Sequence, residues 1–543
     1  MRVPAESGMV RSCGMEKTRR GLLIAAVVLP LLVSACSTTT NSARVELPQQ
    51  YRLPQAGLAT LFAPRSGRIA IIDGTGNLVI MDQTGGAIVN ITRDAVIDAT
   101  SVPTGSVSNG LTNTYHWPVW SPDASHIAFV EVMAQNPTAS RIIEVGASAV
   151  MVQHGPASIM VEQSSDGRTV QVPVTETASI VQQPSRVIIE QGGNSGSIVS
   201  SAIYTARTDG TGPLQEVYQS SRWAIGYLNW SPDNSQLAFL GQTGDQQASL
   251  ELVSAASGKP RILASGISAS WDWRPDGKSL VAKIENQLSA SAANLGVWDA
   301  QSGQSISTIA RQTRLPFGTP AFSSDGNAIL LTVKSNGQNY LALADSQGNI
   351  KRQLVPIDGI VKFSWSPVTA QVAYIVLPNT STAGASAGTD TGGALHLLDV
   401  NSGQDKVLSQ MPVSAFFWSP DGQRLATFSP LRANQIARDF PGIDLTDNQP
   451  ASVLMMQTIE VATGAYRQLF YLEPSTGFAR LLSQFDRFSR AMNIWSPDSH
   501  SLVFSVTFNS GQGNVDYIVE TEATGSLEPR VIAKGSLAVW SPR

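Results

Sequence analysis

Two cysteines, Cys13 and Cys36, are all that 543 residues contain, so a disulfide framework is excluded. Charge is scarce too. Only 14% of residues are Asp, Glu, Lys or Arg, against roughly 25% in a typical soluble domain. Ser, Thr, Gln, Asn and Gly take their place. Basic charge is not in excess: the net charge is −4 and the pI about 5.8, which argues against a nucleic-acid binder. Five histidines occur, His116, His126, His154, His396 and His500, and none pair at metal-ligand spacing. A Walker sequence, an EF-hand loop and a dinucleotide fingerprint are all missing, so no cofactor or metal is expected. The apolar run from Gly21 to Ala35 has 15 residues and is broken by Pro30, short of the roughly 20 that span a bilayer. Apolar residues nevertheless make up 42% of the chain, which excludes intrinsic disorder. The length exceeds the single-core limit of about 250–300 residues, so the chain has several domains or adds core by repeating a unit.

The first 35 residues read as a secretory leader: Lys17, Arg19 and Arg20, a short apolar stretch, then small residues. Met15 begins a tidier leader and is an alternative start. The run ends Val33-Ser34-Ala35-Cys36, which resembles the bacterial lipobox. That resemblance implies a diacylglycerol on the Cys36 thiol and cleavage just before it. The expected mature chain then has no free thiol, which suits an oxidising compartment. Residues 1–35 carry five basic and two acidic residues, so their removal moves the net charge from −4 to −7. Attachment to a membrane would therefore come from acyl chains rather than from attraction to anionic lipid. Residues 36–58 are polar and without period, a tether to the folded body.

Internal self-similarity sets the fold. Trp-Ser-Pro-Asp followed by a short apolar strand stands at Trp120, Trp230, Trp273, Phe322, Trp365, Trp418 and Trp495, with some copies altered. A degenerate copy begins at Phe62, and the chain ends on a half-copy at Trp540. Seven of the eleven tryptophans occupy the first position. From Trp230 the spacings are 43, 49, 43, 53, 77 and 45, and propeller blades of the WD kind recur at about 40–45 residues. Proline sets φ for a tight turn, Asp bonds back to nearby amides, and Gly tolerates positive φ. The strands that follow carry small residues, as in IAF, LAF and VAY, which suits crowding near a central axis. The tryptophans read as wedges between blades. One short helix is expected, Gly477 to Phe488.

These phrases resemble the propeller repeats of the TolB family, over roughly Ala59 to the C-terminus. The resemblance implies an all-β propeller that makes protein–protein contacts. The chain departs from that family in carrying a lipobox and in leaving no room for an α/β domain before Ala59. Eight four-stranded blades are expected, with seven as the alternative. The C-terminal strand through Trp540 should pair with the N-terminal strands and close the ring, which removes exposed edges.

Two excursions interrupt the repeat: a β-rich insertion at about 136–196 and a loop at about 430–451. A G-x-S-x-G string at Gly384 to Gly388 lies in a low-complexity stretch without the strand and helix of a nucleophile elbow. The repeated aspartates Asp123, Asp233, Asp276, Asp421 and Asp498 are explained by the turn. Trp117, Trp223, Trp271 and Trp298 stand outside the repeat's first position and are the candidates for lining a carbohydrate or peptide groove. The function expected from these features is a non-catalytic binding protein, held by lipid at a bacterial membrane in an extracytoplasmic compartment and docking an envelope protein or ligand. The alternatives are a hydrolase or lyase with a site in the channel, and a sensor partner of a membrane kinase or transporter.

Overall fold

A computed structural model describes residues 67–97, 111–135, 141–145, 149–155, 158–163, 168–173, 178–183, 186–191, 198–221, 225–242, 248–256, 258–266, 268–285, 293–312, 318–378, 392–431, 453–509 and 514–543. The leader, Cys36, the tether, Phe62, Trp223, the G-x-S-x-G string and nearly all of the 430–451 loop lie outside these residues.

The repeated phrase forms the hairpin that its chemistry dictates. In the copy at Trp418, Ser419 Oγ donates to Asp421 Oδ1 at 2.6 Å and accepts the Arg424 amide at 2.9 Å. Asp421 Oδ1 also accepts the Gln423 amide. The same serine–aspartate bond closes the turns at Ser121, Ser231, Ser323 and Ser496. The residue after the aspartate takes positive φ: Gly422 at +69°, but Asn234 at +63° and Ser499 at +62° where glycine is missing. The strands leaving several of the turns carry an alanine with no exposed surface, among them Ala128, Ala238, Ala373 and Ala426. At the equivalent places in other blades Val281, Leu330 and Val503 are as fully buried, so the position demands burial and close packing.

The first-position tryptophans join neighbouring units. Five of the indoles reach the backbone just before the first position of the preceding copy. Trp230 Nε1 donates to the Val119 carbonyl at 3.0 Å, Trp365 to Ala321, Trp418 to Ser364, and Trp495 to Phe417. Trp120 reaches Val539 at 3.4 Å, across the two ends of the chain. Trp273 uses the Asn229 side chain, shared with Trp271. These six wedges are thus both packed and hydrogen-bonded, as buried indole N–H groups usually are, whereas the Trp540 N–H is buried without a partner among the described residues.

The result is an all-β propeller of seven sheets with very little helix. Six have four strands, in the order inner to outer that the chain follows. The seventh has six strands, so the sheets number the seven given as the alternative to eight blades. Its strand Arg530–Trp540 is continuous across what would be two blades. One half pairs with Asn514–Glu522, as in Glu520↔Arg530. The other half pairs with Ile69–Asp73, as in Ile69↔Trp540. No break separates the two halves, so the N-terminal strands fuse into the last sheet. Gly535 sits at the junction, where a Cβ would lie 2.5 Å from the Ile72 carbonyl. The C-terminal strand does pair with the N-terminal strands, and the ring closes through it.

Between Gln135 and Ile198 the chain forms two three-stranded sheets. One joins Arg141–Val145, Ala178–Gln183 and Arg186–Gln191; the other joins Ala149–Gly155, Ser158–Gln163 and Arg168–Pro173.

Candidate functional site: a plugged channel and the cleft beside it

Among the described residues, the 77-residue gap between Trp418 and Trp495 holds the one helical segment, and that segment fills the propeller's centre. It comprises a helix Thr476–Ser483 and a short turn Phe485–Phe488. Ser475 caps the helix, accepting the Phe478 amide. The apolar residues recur at helical spacing, and Phe478, Leu481, Leu482, Phe485 and Phe488 are all buried. Phe488 stacks on Trp117 at 4.8 Å and meets Tyr227 edge-on at 4.7 Å. Phe485 packs on Phe416, and Phe478 on Phe428 and Phe504.

Polar bonds fix the plug to the inner wall. Asp486 accepts the Thr319 hydroxyl at 2.9 Å and pairs with Lys362, whose ammonium also donates to the Ser483 carbonyl. Tyr227 donates its hydroxyl to the Arg487 carbonyl. Arg490 donates to Asp272 at 2.7 Å and to the Phe322 carbonyl. Burial raises the Asp272 carboxyl despite that guanidinium, and burial lowers the Lys362 ammonium.

Beside the plug opens a cleft of about 960 Å³. Separate segments line it, among them the turn after Ile72, the strand Leu111–Trp120, the start of the plug, and the two neighbouring strands that carry Asp516 and Lys534. It lies at the end of the propeller where second strands pass to third strands. The 136–196 insertion and the 430–451 loop arise from connections of that kind. The chain enters the propeller at the opposite end, where Arg68 and Ser541 exchange hydrogen bonds.

Trp117 stands where the strand slips register between His116 and Val119, with φ +54° and a proline following. Such bulges re-aim side chains. Of the four candidate groove tryptophans, each of which could equally pack between blades, three lie among the described residues, and of these Trp117 lines the cleft. Trp271 and Trp298 are 1% and 7% exposed and serve the core. The other described histidines lie elsewhere: His126 and His500 bond within repeat turns, and His396 pairs with Asp405.

Burial, with the Arg480 cation adding to it, pushes the His116 imidazole down to about 4. In the unfolded chain it titrates near 6.5. Between those values the unfolded state binds more protons, so stability is lost as pH falls from 6.5 toward 4. His116→Gln should flatten that part of the profile by about 2–3 kcal/mol. Denaturant titrations at pH 7 and pH 4.5 check this, and equal losses in both proteins would refute it.

Arg480, Lys534, Glu473 and Asp516 also line the cleft, and no sequence motif marks them. They come from distant positions, and only their convergence singles them out. Among the described residues no three His, Cys, Asp or Glu side chains gather as a metal site.

No protein-family model matches the chain, and no curated protein matches it. Solved structures do resemble it at the level of fold. TolB from Acinetobacter baumannii is 13% identical, covers 67% of this chain and 80% of its own, and has a TM-score of 0.33. An oligogalacturonate lyase in complex with manganese is 12% identical, covers 87% and 98%, and has a TM-score of 0.38. The beta-propeller domain of the Trilobed protease from Pyrococcus furiosus is 12% identical, covers 66% and 97%, and has a TM-score of 0.33. At these identities the likeness speaks to fold alone.

Proposed function

We propose that this chain is a lipid-anchored, extracytoplasmic propeller that binds an envelope protein or ligand without catalysis. The observation that carries the reading is the plug. Phe478, Phe485, Phe488 and Met492 are at most 1% exposed and fill the centre of the ring, where a channel enzyme needs converging acids, bases or ligands. The cleft and the longest connections lie together at one end, and loops on a rigid scaffold are the usual carriers of recognition. The lipobox-like Val33-Ser34-Ala35-Cys36 supports the anchor.

The test is in-cell crosslinking, capture through a C-terminal tag and mass spectrometry, with Cys36→Ser as control. A discrete envelope partner that disappears in the control, together with a shift of the variant from membrane to soluble fraction, is the expected result. Membrane recovery unchanged by Cys36→Ser would overturn the anchor. Turnover of a bound molecule would overturn the non-catalytic role.

A further inference from the structure

Charges of both signs line the cleft beside the plug. Asp73, Glu473 and Asp516 stand there with Arg480 and Lys534. Asp73 Oδ1 accepts the Thr75 and Asn77 amides, and Asp516 accepts the Thr507 hydroxyl at 2.7 Å. These neutral donors hold the carboxylates in place and leave their charge intact. Among the described residues, no acid of the cleft lies within ion-pair distance of Arg480 or Lys534. Opposite charges that share a cleft without pairing suit a ligand that carries both signs. A pure anion would meet three carboxylates, and a pure cation would meet Arg480 and Lys534.

The charges are also sorted in space. Burial and the Asp516 charge act on Glu473, and both raise its carboxyl, so the two acids stand close enough to repel. An ammonium group set between them relieves that repulsion. Arg480 instead neighbours His116, whose imidazole it helps to hold neutral. Lys534 stands beside Gly74, next to Asp73. Glu473 precedes the plug helix, whereas Arg480 lies one turn inside it, so their Cα atoms are at most about 17 Å apart. An extended tri- or tetrapeptide, about 10–14 Å long, matches that interval. Trp117, with one face stacked on Phe488, adds a partly exposed indole beside His116.

We propose that the cleft binds a short peptide by its two free ends, the ammonium at Glu473 and Asp516, the carboxylate at Arg480, and an apolar side chain against Trp117. This rests on the binding reading above and names the ligand class for it. Both end contacts are charge-assisted hydrogen bonds, the strong kind. The volume, about 960 Å³, lies within the range of small-ligand sites, which run to about 1,000 Å³.

Calorimetric titration of the full chain in detergent tests it, with the tripeptide Ala-Leu-Ala as probe. The N-acetylated tripeptide lacks the ammonium, and the C-terminal amide lacks the carboxylate. The free tripeptide should bind at least about tenfold more tightly than either blocked form. Glu473→Gln should bring the free and acetylated forms within about threefold of each other, and Arg480→Gln should do the same for the free and amidated forms. No binding of the free tripeptide, or equal binding of the free and blocked forms, overturns the inference. Full discrimination retained by both variants also overturns it. The blocked peptides need no substitution in the chain, so they decide the matter even where a variant misfolds. If no peptide binds but a crosslinked partner still requires Cys36, this inference fails and the binding reading stands.

Discussion

A chain ending at Gly535 should not hold its ring closed. The strand it loses carries Leu537, Ala538, Val539 and Trp540, all at most 4% exposed. Burying one large apolar side chain contributes about 1.5–3 kcal/mol, so the three large ones together approach the whole margin of a typical domain. The truncation also removes the backbone partners of Ile69 through Ile72, the carbonyl that receives the Trp120 indole, and the Ser541 clamp on Arg68. The strands Ile69–Asp73, Leu78–Met81 and Val89–Asn90 then have no sheet to join. Limited proteolysis should cut first between residues 67 and 97, and thermal unfolding should begin well below that of the full chain. The milder Val539→Ala should cost about 2 kcal/mol with proteolysis still starting in the same strands. A truncated protein as resistant as the full chain would show that the ring does not depend on this strand.

Phe488→Ala should be the most damaging single substitution in the plug. The ring is 1% exposed and wedged between Trp117 and Tyr227. Aromatic-to-alanine changes in a core cost about 3–5 kcal/mol because the cavity collapses only in part. Collapse is hindered here because the neighbouring side chains belong to strands held in their sheets. Equilibrium unfolding in denaturant measures the loss, and near-ultraviolet circular dichroism reports Trp117 losing its stacking partner. A loss under about 1 kcal/mol would mean that the plug is loosely seated, contrary to its burial. Such a result would reopen the channel as a place for chemistry.

These two sites differ in how far they can be read in advance. The C-terminal strand is legible. Trp540 opens a half-copy of the phrase, the copy at Phe62 supplies further strands, and closure follows from the need to cover edges. Its continuity with the preceding strand is not legible, because an unbroken Arg530–Trp540 strand depends on Gly535 passing close to Ile72 in three dimensions. That single local fact turns eight expected blades into seven sheets. The plug is legible as a helix, from the spacing of Phe478, Leu481, Leu482, Phe485 and Phe488. Its place is not. Amphipathic spacing says that one face is buried, and it is silent about which surface receives it.

What the sequence determined by itself is therefore the repeating unit. Trp, Ser, Pro and Asp form a turn through bonds between residues two to five apart, and such bonds follow from order along the chain. The propeller class, the tryptophan wedges and the small residues on the second strands all descend from that local chemistry. What only the tertiary structure decided is the site. Trp117, His116, Arg480, Asp516 and Lys534 lie on four segments separated by up to about four hundred residues. Their meeting depends on ring closure and on the plug entering the channel. Neither event leaves a pattern in any one stretch of sequence, because each is a contact between surfaces rather than a preference of the backbone.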